Sequence, residues 1–89
     1  MLESILLGMV LDEDLTGYDI KKRIETGIGV FYKASFGSLY PTLKKLAEKG
    51  YLKAYEKSQG GRQKIFYYIT DSGKERFYEW LTAPMNIFD

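Results

Sequence analysis

The 89-residue chain is 45% hydrophobic and 16% aromatic, enough apolar material for one small core and too little for two. It has neither cysteine nor histidine, which excludes disulfides, Cys/His zinc sites, thiol nucleophiles and imidazole bases. A net charge of +1 conceals a basic central third, where Lys33, Lys44, Lys45, Lys49, Lys53, Lys57, Arg62 and Lys64 stand against only Glu48 and Glu56, between two acidic flanks.

Leu2, Ile5, Leu6, Met9 and Val10 recur at helical spacing, so the first element is a helix ending near Leu11. Gly8 inside it disfavours a helix by about 1 kcal/mol against alanine, which points to close approach of another element. After the acidic loop Asp12 to Leu15, Thr16 is a good N-cap, and Ile20, Ile24 and Ile28 mark a second helix stopped by Gly27 and Gly29. Val30 to Gly37 has no clear period and is expected to be a turn.

Ser38 can cap a third helix with Leu39, Leu43, Leu46 and Ala47 on one side and Gly50 as its end. Pro41 then falls in the first turn, where a missing N–H is not felt. From Tyr51 the period changes to alternation, with Tyr51, Lys53, Tyr55 and Lys57 against Leu52, Ala54 and Glu56. Ser58, Gln59, Gly60 and Gly61 form a turn, and Gln63 to Thr70 return as a second strand. Asp71 and Ser72 open a fourth helix with Phe77, Trp80 and Leu81 on one side, stopped before Pro84.

Three helices, a hairpin and a fourth helix make a mostly α, α+β winged helix-turn-helix, an arrangement that offers one helix to a major groove and one loop to the neighbouring backbone. The outward positions of the third helix, Ser38, Pro41, Thr42, Lys45 and Lys49, are small, polar and basic, as base edges and phosphates require. Arg62 and Lys64 follow the two glycines of the hairpin tip and suit a phosphate or minor-groove contact. Tyr18 and Tyr40, near the starts of the second and third helices, can turn their hydroxyls to flanking phosphates, although tyrosine also serves as a packing residue with a wet tip. Trp80 fits a core or dimer contact better than a ligand site.

The acids are scattered apart from Asp12 to Asp14, so no pair of carboxylates is expected to converge in an active site, and neither enzyme activity, a metal nor a cofactor is expected. No apolar run approaches the roughly 20 residues of a membrane span, and the amino end lacks the basic flank of a signal peptide. A cytoplasmic protein with no membrane partner is the expectation.

Three stretches together resemble the PadR family of transcriptional regulators: Leu6-Leu7-Gly8-Met9-Val10 followed by Thr16-Gly17-Tyr18-Asp19-Ile20; Gly37-Ser38-Leu39-Tyr40-Pro41-Thr42-Leu43 continuing to Leu46 and Lys49-Gly50-Tyr51-Leu52; and Gly61-Arg62 leading to Tyr67-Tyr68-Ile69-Thr70-Asp71-Ser72-Gly73. The resemblance implies a homodimer that binds operator double-stranded DNA, usually as a repressor released by a small, often aromatic effector. The DNA-binding candidates read in this way are Tyr18, Ser35, Ser38, Tyr40, Pro41, Thr42, Lys44, Lys45, Lys49, Gly61, Arg62 and Lys64. At the wing the sequence departs from the family, with Gln63 where proline or arginine is common and Ile65-Phe66 in place of a more basic, tyrosine-rich pair. Residues 1–82 are expected to form the DNA-binding domain. Residues 83–89, with Ala83-Pro84-Met85, are expected to be a tail or the start of a linker to a C-terminal dimerisation region that would also hold most of the effector pocket. A winged helix used as a protein-interaction module is the alternative.

Overall fold

The computed structural model describes residues 2–26 and 36–83. Within them lie helices α1 (Leu2–Met9), α2 (Gly17–Thr26), α3 (Phe36–Glu48) and α4 (Asp71–Thr82), and strands β1 (Leu15–Thr16), β2 (Leu52–Gln59) and β3 (Arg62–Ile69). The fold is the α+β winged helix that the sequence indicates, with one strand more. Leu15 pairs with Tyr67 and Thr16 with Phe66, placing β1 beside β3 in a sheet of order β1-β3-β2.

The core follows from the periodicities. Leu6, Leu7 and Val10 of the first segment, Ile20 and Ile24 of α2, Leu39, Leu43 and Leu46 of α3, and Leu15, Leu52 and Ile69 of the sheet form one buried cluster. Each fully buried leucine or isoleucine contributes about 1.5–3 kcal/mol relative to an exposed one. Ala47, expected on the inner side of α3, is exposed, because the three leucines alone subtend the stripe that faces the core. Gly8 is the close approach its position implied: a Cβ there would stand 2.9 Å from Cε1 of Phe77, the α4 ring that packs across α1.

Local signals fix the helix ends. Thr16 Oγ1 accepts from the Asp19 amide (3.0 Å) and Asp19 Oδ2 accepts from the Thr16 amide (3.1 Å), a reciprocal capping box that opens α2 directly from β1. Ile28 and the glycines expected to stop α2 lie outside the described residues, as does most of the expected turn from Val30. That turn does not reach Gly37, because α3 has already begun at Phe36. Ser38 is therefore inside the first turn and is not the cap, and Pro41 is the sixth helical residue. Its missing N–H would have met the Gly37 carbonyl; both residues are exposed, so that carbonyl is not left unpaired in a buried place and the helix continues.

At the other end of α3, Gly50 (φ +80°) donates to the Ala47 carbonyl and Tyr51 to the Leu46 carbonyl, both at 3.0 Å. This is the paired Schellman closure that a glycine in left-handed conformation permits. The same Gly50 carbonyl then receives the hydroxyls of Thr70 (2.6 Å) and Ser72 (3.0 Å), while Thr70 Oγ1 accepts from the Gly73 amide (3.1 Å) as the N-cap of α4. The Thr70-Asp71-Ser72-Gly73 run thus ties the end of α3 to the start of the last helix. Thr70→Ala removes the cap and leaves partners unsatisfied, and urea unfolding is expected to show a loss of about 1–2 kcal/mol.

The hairpin is longer than the alternation alone suggests. Ser58 and Gln59 belong to β2 and Arg62 opens β3, leaving a two-residue turn of Gly60 (φ +61°) and Gly61 (φ +78°), the positive-φ pair that matches the twist of a tight hairpin. Directly opposed residues share a sheet face. Leu52/Ile69, Ala54/Tyr67, Glu56/Ile65 and Ser58/Gln63 therefore lie on the core side, and Lys53/Tyr68, Tyr55/Phe66, Lys57/Lys64 and Gln59/Arg62 on the outer side.

Candidate nucleic-acid interface

A cleft of about 990 Å³ runs between the start of α2, the first turns of α3 and the free edge of β3. β1 covers β3 only as far as Phe66, so among the described residues the remainder of that edge stands open beside the helices. Tyr18 closes the cleft on the α2 side, Tyr40 floors it, and Gln59, Arg62, Gln63 and Lys64 form the wing wall.

The floor depends on a glycine. Gly17 is the first residue of α2, and a Cβ on it would fall 2.7 Å from Cε1 and 3.4 Å from the hydroxyl of Tyr40. The absence of a side chain lets the Tyr40 ring lie against the helix start. Tyr18, the next residue, is 64% exposed, with the Lys22 ammonium 5.9 Å from its ring centroid, a cation–π contact on one stripe of α2.

On the wing wall, Lys64 Nζ donates to Gln59 Oε1 (3.3 Å) and Gln63 Nε2 to Glu56 Oε2 (3.3 Å), which spreads the side chains along the hairpin. Among the described residues neither Arg62 nor Lys64 is ion-paired. At the wing's root Tyr55 stacks on Phe66 (5.6 Å between centroids, 15° between planes) and its hydroxyl donates to Asp14 Oδ2 (2.7 Å). That hydrogen bond to a carboxylate raises the Tyr55 phenol above its ordinary 10.0 and fastens the hairpin to the loop before β1.

Of the residues singled out in the sequence, Tyr18, Tyr40, Arg62 and Lys64 meet at the cleft, with Gly61 at the tip beside them. Lys44, exposed, stands one turn beyond Tyr40 on the same stripe of α3. Ser38 and Pro41 are exposed and Thr42 is half-buried. Lys45 and Lys49 are turned to α1, where Glu3 takes both, at 3.3 and 3.9 Å. The outward face read from periodicity is thus divided into a stripe beside the cleft and a stripe tied to α1. Ser35 lies outside the described residues. Thr16, Gly17, Gln59, Gln63, Ile65 and Tyr67 also line the cleft without having been singled out; a two-residue Gly60-Gly61 turn, assumed from the start, would have placed Gln59 opposite Arg62.

The arrangement offers aromatic rings, amides and unpaired cations on a concave surface open along one side. Such groups bind an extended anion through phosphate contacts and hydrogen bonds to edges. The model of the transcriptional regulator PadR-like family matches residues 6–79. The negative transcriptional regulator PadR of Bacillus subtilis (strain 168) is 35% identical over 82 residues, which are 91% of this chain and 45% of that protein. The crystal structure of Bacillus subtilis PadR in complex with operator DNA matches 96% of this chain and 49% of its own with a TM-score of 0.84 at 34% identity. The same protein in complex with p-coumaric acid matches 94% and 46% with a TM-score of 0.78 at 31% identity. The PadR-like regulator BC1756 from Bacillus cereus gives 0.83 at 37% identity, over 94% and 48% of the two chains. The chain spans about half the length of these relatives.

Proposed function

Because the chain belongs to the PadR-like family of transcriptional regulators, we propose that it binds operator double-stranded DNA, with α3 at the major groove and the wing on the adjoining backbone. The observation that carries this reading is the cleft, in which Tyr18 and Tyr40 from two helices stand opposite Arg62 and Lys64 from the wing. The DNA-bound relative of the same fold supports it. In this role Tyr40, Lys44, Ser38 and Pro41 face the groove and Tyr18, Arg62 and Lys64 take phosphates. Lys45 and Lys49 reach DNA only by exchanging Glu3 for phosphate.

Fluorescence anisotropy with a randomised duplex pool carried through selection is expected to enrich a common sequence. Arg62→Ala should weaken binding to that sequence about tenfold and lower the salt slope by about one. If no sequence is enriched and Arg62→Ala binds duplex as the parent does, the chain is an interaction module for an acidic protein and the operator reading is withdrawn.

We infer further that the protein is a cytoplasmic repressor acting as a homodimer and released by a small aromatic effector. Support comes from the name of the Bacillus subtilis relative, a negative regulator, and from its complex with p-coumaric acid. Among the described residues no helix is long and apolar enough to cross a membrane. Residues 1–82 act as the DNA-binding domain, and residues 83–89 as its tail or the start of a linker to a dimerisation region. Pairing raises affinity by making the second half-site contact intramolecular.

A further inference from the structure

We propose that Glu3 sets sequence discrimination: it withholds Lys45 and Lys49 from unrelated DNA and yields them to phosphates once an operator is seated against α3. The inference rests on the DNA-binding reading and deepens it with a residue that opposes binding. Its starting point is the division of charge at α3. Among the described residues Lys44, on the stripe beside the cleft, has no carboxylate partner, whereas Glu3 holds Lys45 at 3.3 Å and Lys49 at 3.9 Å. One carboxylate between two ammonium groups cancels one of their two charges, and it comes from a different helix.

The fold does not need this contact. α1 is fastened to the core by Leu6 and Leu7, with Val10 just beyond it, and an ion pair at the surface adds little to such packing. An acid in the first turn of α1 complements the helix dipole, but it does so without lysines beside it. What the contact changes is the charge that α3 shows to an approaching polyanion. Lys45 lies four residues beyond Pro41 and Lys49 eight, about 6 and 12 Å along the helix. With the first turn of α3 in a major groove about 12 Å wide, the bordering phosphates lie at such distances.

Discrimination follows from how the two kinds of complex use charge. An unrelated duplex is held by phosphate contacts without a fixed register, so a cation already engaged by Glu3 adds little to its binding. A seated operator is fixed by the cleft and the groove, which bring phosphates to the lysines at one position, and there Glu3 can be displaced. Glu3 therefore subtracts more from unrelated binding than from operator binding, and the ratio of the two rises.

The full chain carrying Glu3→Gln tests the assignment by fluorescence anisotropy with the selected duplex and with an unrelated one. The unrelated duplex should bind about tenfold tighter at low salt, with a salt slope steeper by about one. The selected duplex should gain no more than about threefold and keep the parent's slope, so discrimination falls about threefold or more. The melting temperature should move by less than about 4 °C; Glu3→Ser, which also removes the charge, decides the case should Glu3→Gln melt early. With Lys45→Gln and Lys49→Gln together as the background, adding Glu3→Gln should change neither affinity. If Glu3→Gln leaves the unrelated duplex at the parent's affinity while Arg62→Ala still weakens the selected one, the lysines lie outside the reach of DNA and this proposal falls alone. A gain that persists without the two lysines, or equal gains on both duplexes, also overturns it. If neither Glu3→Gln nor Arg62→Ala alters duplex binding, the DNA-binding reading falls with it.

Discussion

Gly73→Ala is expected to be the most damaging glycine-to-alanine change among the described residues, lowering stability by about 3 kcal/mol and the melting temperature by more than about 10 °C. A Cβ at Gly73 would overlap the Tyr51 carbonyl oxygen and come within 2.7 Å of Cγ1 of Ile69. Neither neighbour can give way. The Tyr51 carbonyl accepts from the Thr70 amide (3.0 Å) at the point where α3, β2 and α4 meet, and Ile69 belongs to the core cluster. Alanine is intrinsically better than glycine in a helix by about 1 kcal/mol, so the substitution would stabilise α4 were it isolated. The clash has to exceed that gain, and a contact with main chain does so. Gly8→Ala is the internal comparison. There the new methyl meets the edge of Phe77, a half-buried ring that can shift by a few tenths of an ångström, so its cost should be well below that of Gly73→Ala. Urea unfolding of the two variants side by side measures the difference; equal stabilities would show that the α4 junction relaxes as readily as a side chain.

The two glycines were unequally legible in the sequence. Gly8 interrupts a clear helical period and so announces a close approach. Gly73 sits in a polar opening turn where glycine excites no question, and its role depends on the Tyr51 carbonyl, far earlier in the chain. The same distinction runs through the fold. The helices, the hairpin and the end of α3 at Gly50 follow from periodicity and from glycine conformations that act within a few residues. β1 does not, because two residues have no period, and Leu15-Thr16 becomes a strand only through the free edge of β3. Likewise Ser38 looks like a cap to any local rule, but α3 starts two residues before it.

At the candidate site, residue type was legible and direction was not. The basic centre of the chain, the rings at the helix starts and the glycine tip are all present in the sequence, and four of the residues chosen there meet at one cleft. Lys45 and Lys49 were indistinguishable from Lys44 as surface lysines until α1 was packed against α3 and brought Glu3 between them. The electrostatic consequence is specific. A pair at 3.3 Å between an exposed lysine and a half-buried glutamate at the surface is worth about 1 kcal/mol at most, so the lysines are oriented by Glu3 and not immobilised.

Gly17→Ala should separate the shape of the cleft from the stability of the fold. The added methyl collides with Tyr40 Cε1, 2.7 Å away, but Tyr40 is 53% exposed and its ring can swing toward solvent. The backbone at position 17 has no positive φ, so alanine fits the helix start without strain. Stability is therefore expected to change by less than about 1 kcal/mol. The displaced ring, however, no longer floors the cleft, and duplex affinity should fall about tenfold, as for loss of one well-placed contact. A double-mutant cycle with Tyr40→Ala isolates the cause: if Gly17 acts only by seating the ring, the double variant should bind no worse than Tyr40→Ala alone. Additive losses would mean that Gly17 meets DNA through its own backbone, and parental affinity in Gly17→Ala would show that the Tyr40 ring does not need its seat. The fold-intact, binding-deficient outcome is the one that the packing of a phenol ring on a bare helix start requires.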